Sequence, residues 1–129
     1  MPAELTALAL AALLQAVQLM LFAVAANLQV GPAYSLSPRD EQRRLTVLAG
    51  RLQRALSNHV EALVLFAVAV VLVTLAGKAS ALTAASAWVY LGARTLYVPA
   101  YAFGWTPWRS LIWAVAFLAT LVILLVALF

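Results

Sequence analysis

The chain contains no cysteine, which excludes a disulfide framework, a protein thiolate nucleophile and any cysteine-ligated metal. A single histidine, His59, and four acidic side chains are too few donors to build a metal site. Any thiol chemistry must therefore use sulfur carried by a ligand. Charge of either sign is also scarce. Only 9% of the 129 residues are charged against 67% hydrophobic, and mean hydropathy is +1.03, far outside the range of soluble domains. The apolar runs are continuous, without the alternation that a membrane β-barrel strand requires. These absences leave an all-α integral membrane protein.

A bilayer core about 30 Å thick takes roughly 20 apolar residues per helix. The length admits four spans in a single domain covering 1–129, expected at 3–28, 38–75, 80–101 and 107–129. The N-terminus lacks a positive n-region, and its apolar stretch is too long for a cleaved signal peptide. Glu4 falls in a first helical turn, where the helix dipole favours an acid. The first connection holds Gly31 and Pro32. Ser37, Pro38 and Asp40 then form a helix start signal. Gly77 and Lys78 mark a short turn, Pro99 is expected to bend or end the third helix, and Thr106 with Pro107 to cap the fourth. Trp88 and Tyr90 are expected to pack within the bundle, and Trp105 and Trp108 to anchor at an interface. Arg39, Arg43, Arg44, Arg51, Arg54, Arg94 and Arg109 fall at one membrane face, with Lys78 alone at the other. The positive-inside rule then places the arginine end in the cytoplasm and both termini outside.

The most costly feature is the segment RLQRALSNHVE, Arg51 to Glu61, which opens an otherwise apolar helix. At about 100° per residue, Arg51, Arg54, Asn58 and Glu61 share a sector of roughly 80°, and each ionised group at a membrane edge costs several kcal/mol without compensation. His59 lies off that face and is read as a packing or interfacial residue. The third helix brings Arg94, Tyr97 and Tyr101 at spacings of three and four, so they share a face. The fourth opens with Arg109 and Ser110. Arginines fork onto carboxylates, Glu61 suits an ammonium, and Asn58 matches an amide. Glutathione, with two carboxylates, an amine and a thiol, fits that inventory as a co-substrate. A guanidinium about 4 Å from its sulfur supplies on the order of 4 kcal/mol of gross attraction. That is enough after desolvation to lower a thiol pKa from about 8.5. Arg109 is the candidate for this role, with Ser110 as a second donor at the positive end of a helix dipole.

RLQRALSNHVE followed by ALVLF resembles the signature of the MAPEG superfamily, the membrane-associated proteins in eicosanoid and glutathione metabolism. GARTLYVPAY and PWRS resemble the later segments of that family, and SPRD its bacterial branch. The resemblance implies homotrimers of four-helix subunits with glutathione held between neighbours. It also implies glutathione contacts at Arg54, Asn58, Glu61, Arg94, Tyr97 and Tyr101, with Arg51 and Ser110 matching less closely, and Arg109 as the thiol activator. The chain departs from leukotriene-conjugating members at Ala62, where they carry tyrosine, and at Leu56, where they carry glutamine. Near Asn27 it lacks an arginine that some members place at the end of the first helix.

Plainer roles exist for each residue. Arg51 and Arg54 also suit topology-setting cations that snorkel to lipid phosphates. Asn58 and Glu61 suit interhelical bonding, with Arg94 as a partner for Glu61, while Tyr97, Tyr101 and Arg109 suit interfacial anchoring. The leading reading is a glutathione-dependent transferase or peroxidase of a bacterial inner membrane, acting on a lipophilic electrophile or hydroperoxide delivered through the lipid. The alternatives are a non-catalytic lipid- or glutathione-binding protein on the same scaffold, and a small multidrug exporter. An exporter needs a carboxylate deep in its first helix, whereas Glu4 is terminal.

Overall fold

The computed structural model describes residues 1–30 and 47–129. Its elements are α1 (Ala3–Val30), α2 (Val47–Leu75), α3 (Ala81–Ala102) and α4 (Trp108–Leu128). The start signal at Ser37, Pro38 and Asp40 and the cations Arg39, Arg43 and Arg44 lie outside the described residues. α1, α2 and α4 are each long and apolar enough to cross a membrane. α3, with 22 residues, spans about 33 Å at 1.5 Å per residue. Every helix pair except α1 with α4 packs together, so α2 and α3 form the central pair and α1 and α4 occupy opposite corners. The chain is an all-α membrane bundle.

The core is narrow because its contact positions are small. Ala7 and Ala11 of α1, Ala69 of α2, Ala87 and Ala93 of α3, and Ala116 and Ala119 of α4 are buried together, and Phe66, Tyr90 and Ile123 fill the larger gaps. Small residues let helix backbones approach closely, and in lipid it is this van der Waals contact that drives association. Leu13, Met20, Val64, Leu118 and Leu125 point outward, as a hydrocarbon solvent requires. Trp88 is also largely exposed, contrary to the sequence expectation. Two residues are about 200° apart on a helix, so only Tyr90 of that pair can face the core.

Two buried polar ties cross the bundle. His59 donates through Nε2 to the carbonyl of Ala11 at 3.0 Å, joining α2 to α1. Glu4, 3% exposed, accepts a 2.9 Å hydrogen bond from the Thr83 hydroxyl, joining the start of α1 to the first turn of α3. Thr83 also closes a reciprocal capping box with Ser80.

α2 and α3 end in the same way. Beyond α2, Lys78 N–H bonds Val73 O and Gly77 N–H bonds Thr74 O; beyond α3, Trp105 N–H bonds Ala100 O and Gly104 N–H bonds Tyr101 O. Both are Schellman closures with a left-handed glycine, each at φ 69°. Pro99 does not end α3, which continues through Ala102. A proline this close to the terminus removes one ladder bond, and the closure satisfies the last carbonyls. Thr106 does not cap α4: Pro107 is the N-cap, without a side-chain hydrogen bond.

Candidate functional site

The Gly104 closure sends the chain from α3 into α4 within a few residues, so the end of α3 and the start of α4 lie side by side against the first half of α2. Tyr90, Arg94, Tyr97 and Tyr101 recur at spacings of four, three and four and so follow one face of α3. Arg94 is the most constrained of them. It is 1% exposed, its Nη1 donates to Asn58 Oδ1 at 2.9 Å, and its guanidinium lies 4.4 Å from the centroid of the Tyr97 ring. Its Nε and Nη2 are buried without a hydrogen-bond partner. A Glu61–Arg94 pair is therefore not formed, and Glu61 is exposed.

Nearer the membrane edge, Tyr101 is flanked by two cations. Arg54 donates through Nε to its hydroxyl oxygen at 3.2 Å, and the Arg109 guanidinium lies 4.5 Å from its ring centroid. The Tyr97 and Tyr101 rings meet edge to face at 5.6 Å. Cation–π contact and hydrogen bonding together hold three guanidinium groups around two phenols, where like charges would otherwise repel.

These side chains line two adjoining cavities. The outer one, ≈ 310 Å³, is bounded by Arg54, Asn58, Tyr97, Tyr101, Arg109, Ser110 and Trp113. The inner one, ≈ 220 Å³, has Asn58, Glu61 and Arg94 at its polar side and Ala62, Leu65, Tyr90, Ala116, Phe117 and Thr120 as its apolar walls. Asn58 and Trp113 belong to both. Along α4, Thr120 lies about 16 Å deeper than Arg109 at 1.5 Å per residue, so the pair of cavities runs from a cationic mouth into an apolar interior.

Eight of the nine candidate residues therefore border one or other of these adjoining cavities. Arg51 does not; its Nη1 donates to the carbonyl of Ala102 at 3.3 Å, placing a cation at the C-terminus of α3. That position is electrostatically favourable for a guanidinium. Tyr90, Trp113, Phe117 and Thr120 were not among the sequence candidates. Extending the Arg94 face backward by four reaches Tyr90, and extending the Arg109 face forward by four, eight and eleven reaches the other three.

Unpaired buried guanidinium donors together with further arginines at the mouth give the cavity a chemistry suited to anions, and the inner wall beside it is largely apolar. The chain finds no match among curated proteins and none among solved structures. The MAPEG family matches residues 4–129, essentially its whole length. With four helices, three of them long and apolar enough to cross a membrane, and a cationic cavity at one end, the chain belongs to the MAPEG family.

Proposed function

We propose that the protein is a glutathione-dependent transferase or peroxidase of the bacterial inner membrane. Family membership supports a membrane protein of glutathione or eicosanoid metabolism. The observation that carries the finer reading is Arg94, whose Nε and Nη2 are buried and unpartnered beside Asn58 and Glu61. A guanidinium left so in low dielectric calls for an anionic ligand, and Nε with Nη2 forms the edge that grips a carboxylate with two parallel bonds. In this reading Arg94 and Arg54 hold the carboxylates of glutathione, Glu61 takes its ammonium, and Asn58 its amide. Tyr97 and Tyr101 form an aromatic wall, and Arg109 with Ser110 stabilises the thiolate at the N-terminus of α4. Arginine stays protonated, so Arg109 acts electrostatically and the thiol proton leaves to solvent at the exposed mouth. The subunits assemble as homotrimers with glutathione between neighbours, the arginine end faces the cytoplasm, and the lipophilic co-substrate enters from the bilayer.

The test is thiolate ultraviolet absorbance as glutathione is titrated into detergent-solubilised protein. Wild type is expected to show it and Arg109→Ala to lose most of it; no signal and no affinity in the wild type overturns the reading. A non-catalytic binder on the same scaffold is favoured by Ala62, which leaves open space in the inner wall where leukotriene-conjugating relatives carry tyrosine. Glutathione binding without turnover of any halide or hydroperoxide would select it.

A further inference from the structure

The cationic mouth lies below the outer edge of the apolar surface. Val47 and Leu48, in the first turn of α2, are largely exposed. Arg54 follows Val47 by seven residues, which sets it about 10 Å further into the bundle at 1.5 Å per residue. On the α1 side, Leu28 is exposed and lines one apolar groove with Leu48. On the other side, the turn between α3 and α4 carries Phe103, Trp105 and Trp108, all exposed. Arg109 is held at the level of that turn by its N–H bond to the Trp105 carbonyl. Tryptophan so placed marks the hydrated interface of a bilayer. α2, with 29 residues, is about 43 Å long, the thickness of a bilayer with its headgroups included. Arg54 and Arg109 therefore open into the headgroup layer, where the most abundant anion is lipid phosphate.

Both cations keep donors free for it. Arg54 is exposed and tied to Tyr101 through Nε, which leaves its two Nη groups. Arg109 is held by the face of the Tyr101 ring, a contact that leaves the in-plane N–H groups of a guanidinium available. No acidic side chain among the described residues lines the outer cavity. We propose that the outer cavity is a headgroup site for an anionic phospholipid, with its phosphate between Arg54 and Arg109. Two guanidinium groups suit a phosphodiester, and the acyl chains would lie beside Trp113, which lines the cavity and is exposed. An anionic headgroup is favoured because a zwitterionic one brings a further cation to a mouth that already holds two. This occupancy stands without the glutathione reading. What it adds to that reading, and rests on it, is competition: lipid holds the two arginines until glutathione displaces it, so an anionic bilayer raises the glutathione concentration needed to fill the site.

The experiment offers wild type in neutral detergent an equimolar mixture of phosphatidylglycerol and phosphatidylcholine with identical chains. Native mass spectrometry identifies the lipid retained. Melting temperatures are read with each lipid alone and with glycerol 3-phosphate. The expected preference for phosphatidylglycerol is about tenfold, the worth of one charge-assisted hydrogen bond. Phosphatidylglycerol should also raise the melting temperature, as a ligand of the folded state must, and glycerol 3-phosphate at equal concentration should not. Arg54→Gln and Arg109→Gln are each expected to lose most of the preference, and Lys78→Gln, at the other end of the bundle, to keep it. No preference in the wild type, or one that survives both arginine substitutions, overturns the lipid site. An equal rise with glycerol 3-phosphate overturns it too, in favour of a soluble phosphate. Glutathione that binds yet leaves the lipid adduct in place overturns the competition. Glutathione that fails to bind while the lipid preference persists overturns the glutathione reading and leaves the lipid site standing.

Discussion

The turns after α2 and after α3 are built from the same Schellman closure, with glycine at the same left-handed φ of 69°, yet their surroundings differ. A Cβ at Gly77 would meet nothing within 4 Å, whereas one at Gly104 would lie 3.1 Å from Arg51 Nη1 and 3.2 Å from its Cζ and Nη2. The first turn only reverses the chain. The second also seats a cation from α2 against the last carbonyl of α3, within a few residues of Arg109. One backbone motif thus serves as a plain reversal at one membrane face and as part of the site's framework at the other. What packs on the turn makes the difference.

Substitutions can separate these two roles. Gly104→Ala is expected to cost most. Left-handed strain of about 1–2 kcal/mol adds to the displacement of Arg51, for a total of about 2–3 kcal/mol, read as a fall in melting temperature in detergent. Glutathione affinity should fall with it, because Arg109 follows on the same short connection. Gly77→Ala carries the strain alone, about 1–2 kcal/mol, and leaves the glutathione titration where it was. Equal losses at the two glycines would show that Arg51 adds nothing to the second turn. Arg51→Ala removes the cation from the α3 terminus at a cost of about 1 kcal/mol. Combined with Gly104→Ala it should cost less than the sum, since the two changes remove the same contact. Lys78→Ala, on the exposed counterpart turn, should leave the melting temperature unchanged.

Much of the fold could be read from composition. Continuous apolar runs mark membrane helices, and Gly77 followed by Lys78 marks a turn because a left-handed residue there favours glycine. The arginine-bearing faces were legible because three- and four-residue spacings are local. What escaped is non-local. Glu4 and Thr83 are 79 residues apart, and nothing near either one announces the other. Arg51 shares a helical sector with Arg54 and Asn58, but its long side chain reaches along the helix edge to Ala102 instead of into the cavity. Tyr90 reads as an ordinary membrane aromatic until its hydroxyl is seen to lack a partner. Sequence periodicity identifies a shared face, whereas the direction a flexible side chain takes depends on the acceptors other helices bring.

The hydrogen bond between His59 and the Ala11 carbonyl has a mechanical consequence. α1 meets its neighbours largely through alanine, a smooth surface along which a helix can slide at little cost, and this bond acts as a detent that fixes its height against α2. His59 directly follows Asn58, so a load on the bond is applied beside the group that steadies Arg94. A bilayer thinner than the hydrophobic length of α1 pushes that helix to shift or tilt. Glutathione affinity measured in a series of short- to long-chain lipids should then vary with bilayer thickness in the wild type. With His59→Leu it should vary less, because α1 can move without pulling on α2.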